Sequence, residues 1–369
     1  MTDLADLVRI SAYGGSDVRL SQGGGGNTSV KRADGTLAIK ASGFRLAEVT
    51  ESAGWLGVSL DVLNRALRDP AVLALPPREA HEASTAIVQK AAGGGTLRPS
   101  LETSFHAWLP DRLVLHTHSV WANLYSCVDG GRDLLKADGF DFAWVPYTTP
   151  GLLLGLAVER AWLETGSPFI LLENHGWITT GATADEAISR HESIRAVAEK
   201  RFGALPEPIL SGGCEPAVQI LEWANAFAAA STAIGKPRVA RPPLRSYLSM
   251  TDGPCPTKGA LVPDDVVYGI HAVQTVPAGV TATRWVERGG ADGPMMGIAW
   301  REGGGFVLFG PSERAVATIE ENLVANVMLH AITSQAGQTA RTLAADEIAY
   351  LAGMDSEAYR QRIAARARG

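Results

Sequence analysis

The residues whose spacing most directly suggests chemistry are His116 and His118, in the run Leu113-Val114-Leu115-His116-Thr117-His118. On a strand, side chains two apart leave the same face. Two imidazoles placed that way form a bidentate platform of the kind zinc takes, and the Leu and Val residues before them supply a dry, rigid base. A third histidine stands at the end of another apolar run, Leu171-Leu172-Glu173-Asn174-His175-Gly176. Neighbouring strands of one sheet would bring His175 beside the pair, and Gly176 leaves room for close backbone approach. Three neutral imidazoles leave coordination positions open, which suits a catalytic site better than a closed structural one. The plainer readings are core or surface histidines, and Asn-His-Gly as a strand-end turn.

Glu102 lies in Arg98-Pro99-Ser100-Leu101-Glu102-Thr103, at the start of an expected helix. A glutamate there gains a favourable dipole interaction. Beside a metal, its carboxylate can also deprotonate a carbon acid whose carbonyl the metal polarises. Further upstream, Gly23 to Gly26 leads into Asn27-Thr28-Ser29. Successive backbone N–H groups in such a loop can hold a phosphate or carboxylate, although a glycine run by itself reads as a flexible surface loop. Lys40-Ala41-Ser42-Gly43 follows at the end of the next strand. Histidines 81, 106, 191, 271 and 330 lack metal spacing and are assigned no chemistry.

The elements that must position these groups can be read from periodicity and turn residues. Residues 2–12 form a short amphipathic helix. Asn27–Lys31 and Thr36–Lys40 form strands joined at Ala33-Asp34-Gly35. Helices are expected over Leu60–Arg68, Glu79–Ala92, Leu101–Leu109, Val120–Cys127 and Leu152–Thr165. Strands are expected over Arg112–His118, Phe140–Pro146 and Pro168–Glu173. Trp177–Thr179 continues the last of these, with Thr180-Gly181 as a turn. Thr183 caps a helix that runs to Arg201. This βαβ-like alternation suggests an α/β domain. The stretch Gly203–Pro216, with its Pro and Gly residues, is the best boundary. Beyond it come a helix near Val218–Ala230 and a proline-rich link around Arg238–Arg245. The remainder mixes strands (Thr281–Arg288, Met295–Trp300, Gly305–Phe309) with helices (Pro311–Gln335, Ala344–Ala365).

Composition narrows the function. The 369 residues are 46% hydrophobic and 20% charged, enough for a sizeable core. The net charge of −6 argues against nucleic acid as a partner, because phosphates call for a basic face. Cys127, Cys214 and Cys255 are scattered, so neither disulfides nor a cysteine zinc site is expected. The opening MTDLADLVRIS does not read as a signal peptide, and no apolar run is long enough to cross a membrane. A cytoplasmic location is expected.

Taken together, Gly26-Asn27-Thr28-Ser29, Ser42-Gly43, Ser100-x-Glu102, His116-x-His118 and Asn174-His175-Gly176 resemble the class II aldolase/adducin family in order and spacing, over roughly residues 5–205. Asp264-Asp265-Val266-Val267-Tyr268-Gly269 is similar to a segment that follows the core in longer members. The resemblance implies a three-layer α/β/α domain with a central, mainly antiparallel sheet over residues 1–205, and an α+β extension over 206–369. It implies one zinc per chain, or another divalent metal, on His116, His118 and His175. Glu102 would be the acid/base, and a further ligand in the absence of substrate.

In the family, the loops at Gly26, Asn27, Thr28, Ser42 and Gly43, with Ser100, cradle a substrate phosphate. This chain departs in one place. Sugar-phosphate aldolases commonly have two serines before the glutamate, and here the second is Leu101. Lys40 or Arg98 would compensate, or the substrate carries a different anion or none. Tyr147, in a turn similar to a family segment near the active site, is a candidate proton donor to a leaving alkoxide or a packing residue.

The implied reaction is reversible retro-aldol cleavage of a hydroxy-ketone through a metal-bound enediolate. Hydroxy-ketones and aldehydes are the small-molecule partners, and the assembly is a homotetramer. The alternatives are a zinc-dependent sugar-phosphate epimerase or keto-acid decarboxylase on the same scaffold, or a non-catalytic assembly protein like adducin. Adducin-like members lack a full metal set, and this chain has one.

Overall fold

The computed structural model describes residues 3–207, 218–249, 255–290, 292, 296–303 and 305–365. It contains two compact units, Met1–Gly203 and Ala204–Gly369. Cys214 lies outside the described residues, as does Met295 at the start of one expected strand, while Cys127 and Cys255 are thiols.

In the first unit the strands are β1 (Asn27–Lys31), β2 (Thr36–Lys40), β3 (Trp55–Ser59), β4 (Leu113–Thr117), β5 (Ala143–Val145), β6 (Phe169–Leu172) and β7 (Gly176–Gly181). The helices are α1 (Asp3–Gly14), α2 (Leu60–Ala66), α3 (Pro70–Leu73), α4 (Pro77–Ala91), α5 (Thr103–Trp108), α6 (Val120–Ser126), α7 (Gly131–Ala137), α8 (Leu152–Thr165) and α9 (Ala184–Phe202). The strands form one seven-stranded sheet in the order β3-β2-β1-β4-β7-β6-β5. Every pairing is antiparallel except β5 with β6.

The two-residue period of the strands sorts their side chains into layers. Val114, Ile170, Leu172 and Ile178 face Phe105 of α5 and Leu154 and Val158 of α8. Leu37, Ile39 and Val58 face Leu63 of α2 and Ala80 and Val88 of α4 on that same side. Val30, Ala38 and Leu113 face the other way, onto Leu7 and Ile10 of α1 and Ala184 and Ala187 of α9. The result is a three-layer α/β/α domain in which β4, near the middle of the sheet, is buried on both faces. Each large apolar side chain removed from water there contributes about 1.5–3 kcal/mol, which fixes the strand that carries His116.

Local signals explain most boundaries. The Thr183 hydroxyl accepts from the Glu186 N–H at the start of α9, Asp185 and Glu186 occupy its first turn, and Lys200 and Arg201 its last. Several expectations need correction. Pro168–Thr179 is a hairpin and not one continuing strand. Asn174 takes a left-handed φ of 50°, which turns the chain between β6 and β7, so Thr180 and Gly181 belong to β7. The strand β3 and the short helices α3 and α7 are additional elements.

The second unit holds a four-stranded sheet in the order Val239–Arg241, Gly305–Gly310, Gly297–Arg301, Gln274–Val276. Trp223 and Phe227 of the helix Val218–Ala233 pack on it against Val276, Ala299 and Phe309. The segment 281–288, expected as a strand, begins as the helix Ala282–Trp285, because the Thr281 hydroxyl caps it by accepting from the Arg284 N–H. Ala344–Ala365 is two helices, interrupted at Gly353 and Met354. In the Asp264-Asp265 segment, Asp265 Oδ2 accepts from the Leu261 and Val262 N–H groups and from Asn326, while Asp264 pairs with Arg360. No described helix is long and apolar enough to cross a membrane.

Candidate metal and substrate site

The site is built around the C-terminal end of β4. His116 is the last but one residue of the strand and His118 the first beyond it. Their side chains share the face that carries Val114. The register of β4 with β7, His116 opposite Ile178 and Thr117 opposite Trp177, brings the Glu173–His175 turn to that same end. His175 thus reaches the pair from the tip of the β6–β7 hairpin. The three ring centroids stand 5.1–5.2 Å apart, and one ligand nitrogen from each lies within 4.8 Å of the others. All three rings are buried.

Two glycines permit this convergence. A Cβ at Gly176 would lie 2.4 Å from the Thr117 carbonyl oxygen and 3.0 Å from the His116 ring. A Cβ at Gly26, whose φ is 66°, would lie 2.7 Å from the His116 carbonyl oxygen. Glycine therefore stands at the start of β7 and just before β1, where the chain presses against the histidine segment.

His116 Nδ1 donates to the Trp177 carbonyl at 3.2 Å, which leaves Nε2 as the nitrogen with a lone pair toward the site. That Nε2 lies 3.6 Å from Glu102 Oε2, and His175 Nε2 lies 3.3 Å from Glu102 Oε1. Glu102 is buried, and its Oε1 accepts no hydrogen bond. Burial pushes its carboxyl upward, but positive charge at the His116, His175 and His118 cluster and the Asn27 hydrogen bond outweigh burial and hold it at about 2. Three buried imidazole nitrogens, with a carboxylate oxygen beside them, form a donor set suited to a divalent ion.

Asn27 sits directly opposite His116 in the β1–β4 register. Its amide nitrogen donates to Glu102 Oε2 at 2.7 Å and to Ser100 Oγ at 3.1 Å. Ser100 Oγ also accepts the Glu102 N–H at 3.3 Å. Among the sequence-selected residues, Asn27, Ser100, Glu102 and the three histidines are thus brought together.

The two loops meet nearby. A Cβ on Gly24 would lie 3.5 Å from Gly43, Lys40 Nζ donates to the Gly24 carbonyl at 3.1 Å, and the Ser42 N–H donates to the Arg98 carbonyl at 2.8 Å. Thr28 departs from its assignment. It is the neighbour of Asn27 on a strand, so its hydroxyl faces the α1 layer and shares a 2.6 Å hydrogen bond with Ser11. Tyr147 is half-buried, and its backbone N–H donates to Glu173 Oε2 at 2.8 Å, which ties its loop to the His175 hairpin.

Two histidines given no chemistry prove to be engaged. His191 of α9 bridges Thr117 Oγ1 at 2.7 Å and Thr179 Oγ1 at 3.0 Å, on the face of the sheet away from the imidazole cluster. Burial, helped by His116, lowers it to about 3, so it is a neutral tie between α9 and the sheet. His106 of α5 lies on the site's own face, between Ser29 and Asn27, and burial holds it well below its ordinary range. Its i, i+4 relation to Glu102 was the available signal.

Residues 7–201, more than half of the chain, match the family model for the class II aldolase and adducin N-terminal domain. An uncharacterized oxidoreductase, YuxG of Bacillus subtilis (strain 168), is 29% identical over 205 residues, which make up 53% of this chain and 29% of that protein. The chain therefore spans less than a third of that relative's length. Among solved structures, the N-terminal class II aldolase domain of a conserved protein from Thermoplasma acidophilum is 29% identical, covering 54% of this chain and 93% of that one, with a TM-score of 0.47. The L-fuculose-1-phosphate aldolase of Thermus thermophilus is 20% identical, covering 53% and 93%, with a TM-score of 0.34.

Proposed function

Because this chain belongs to the class II aldolase and adducin N-terminal domain family, we propose that it is a zinc-dependent aldolase that cleaves a hydroxy-ketone reversibly. The observation that carries this reading is the position of the buried Glu102 carboxylate, 3.3 Å from His175 Nε2 and 3.6 Å from His116 Nε2. A zinc ion held by His116, His118 and His175 would polarise the substrate carbonyl and stabilise the charge left when the carbon–carbon bond breaks. Glu102, ionised and fixed by Asn27, takes and returns the proton on the nucleophilic carbon. Ser100 Oγ accepts two hydrogen bonds and keeps its own proton to donate to a substrate oxygen. Tyr147 is the candidate for returning a proton to the leaving alkoxide. All of these residues lie in the first unit, which we take as the catalytic domain, with the second as its extension.

The Gly23–Gly26 loop, Lys40, Ser42 and Gly43 line the side on which an anionic group would bind. A lost charge-assisted hydrogen bond costs about 1.5–3 kcal/mol. Ser42→Ala is therefore expected to weaken phosphorylated hydroxy-ketones by roughly 10- to 100-fold while leaving their unphosphorylated counterparts little changed, with inorganic phosphate competing against the former. Product analysis over a panel of both kinds of ketone, with aldehydes as co-substrates, reads this. Equal effects on the two kinds would remove phosphate from the proposal, and no cleavage or condensation product from any pair would remove the aldolase.

We also expect a homotetramer, which light scattering at working concentration measures. A monomer would contradict it.

A further inference from the structure

His106 is fully buried and has no place in the reaction as proposed. Both of its ring nitrogens are engaged. Nδ1 lies 2.7 Å from Ser29 Oγ, and Nε2 is hydrogen-bonded to Asn27 Oδ1. Asn27 in turn reaches Glu102 Oε2 at 2.7 Å and Ser100 Oγ at 3.1 Å through its amide nitrogen. The directions in this chain fix one another. An ionised carboxylate only accepts, so the Asn27 atom that meets Glu102 is the NH2 group and the atom that meets His106 is the carbonyl oxygen. A carbonyl oxygen only accepts, so His106 carries its proton on Nε2. The fully buried ring is neutral, so Nδ1 is an acceptor, and the Ser29 hydroxyl donates to it. Turning the Asn27 amide over would set its oxygen against a carboxylate oxygen, with no proton between them.

We propose that His106 is a positioning residue: as the neutral tautomer protonated on Nε2, it locks the Asn27 amide so that the NH2 group holds Glu102 Oε2. The other carboxylate oxygen, Oε1, is thereby left facing His175, 3.3 Å from its Nε2, while the held Oε2 stays 3.6 Å from His116 Nε2. Asn27, with its amide oxygen and nitrogen engaged in this chain, buttresses the base. The inference deepens the reading of Glu102 as the base and rests on it for its consequence, but the tautomer itself does not depend on the reaction.

Two measurements test it. In protein labelled with nitrogen-15 histidine, the His106 signals, identified by their loss in His106→Gln, are expected to show a neutral ring protonated on Nε2 from about pH 5.5 to 8. A ring protonated on Nδ1, or an imidazolium, overturns the proposal. The second compares His106→Gln with His106→Asn. Gln places a donor nitrogen near the position of Nε2, and Asn is one methylene too short. Both are expected to keep zinc at the wild-type content. Exchange of the α-proton of dihydroxyacetone phosphate, and of dihydroxyacetone, into D2O is expected to stay within about 3-fold in His106→Gln and to fall by roughly 10- to 100-fold in His106→Asn. Equal losses in both variants would mean that the ring only fills space, and would overturn the proposal. If the zinc-loaded wild type exchanges neither ketone, the reaction assigned to Glu102 fails, and the tautomer alone decides the role of His106.

Discussion

Glu102→Gln is expected to keep its metal and to lose roughly 10²–10⁴-fold in removal of the substrate's α-proton, the usual worth of a positioned acid/base. Glutamine fills the same space, and its amide oxygen can still accept from Asn27, which now bonds Glu102 Oε2 at 2.7 Å. Its NH2 would then occupy the place of Oε1, 3.3 Å from His175 Nε2, where a base is needed. In the natural protein the carboxyl, held at about 2, is ionised throughout the neutral range. The loss in the variant should therefore be flat across neutral pH, since an amide gains no basicity as the pH rises. Metal analysis and α-proton exchange on the same sample check the prediction. A variant that exchanges the proton at the wild-type rate would take the base role from Glu102.

The second large effect concerns the imidazoles. His116→Ala or His118→Ala is expected to lower zinc from about one per chain to near none, and activity with it, because two nitrogens do not replace a three-nitrogen site. For His116 the change also removes the Nδ1 hydrogen bond to Trp177 and a ring contact with Phe105 at 5.8 Å. Some stability is therefore lost, and circular dichroism must accompany the metal assay. Full zinc occupancy and turnover in the folded double variant would remove both histidines from the metal centre.

What could be read ahead of the structure was what depends on near neighbours in the chain. The shared face of His116 and His118 follows from the period of a strand, and the apolar run before them made that strand legible. The helix Leu152–Thr165 and the cap at Thr183 were equally local. What escaped was set by contacts across the fold or by one backbone angle. Asn174 turns the chain through a left-handed φ, so a continuous apolar pattern is in fact a hairpin, and His175 sits at its tip. His106 has no metal spacing, and Ser29 and Asn27, which give it direction, lie 77 and 79 residues away. Thr28 was read with the loop that it follows, yet its place in β1 sends its hydroxyl to the opposite layer. At 281–288, expected as a strand, one hydroxyl cap starts a helix.

The imidazole cluster and Glu102 together are expected to labilise a proton next to a carbonyl. Nuclear magnetic resonance in D2O reads this directly, with dihydroxyacetone and its phosphate as probes and the protein loaded with zinc or stripped by chelator. The expected result is loss of one α-proton signal from at least one ketone with the zinc-loaded protein, abolished by the chelator and restored by added zinc. Exchange that proceeds undiminished in the stripped protein, or none from either ketone with the zinc-loaded protein, would contradict it.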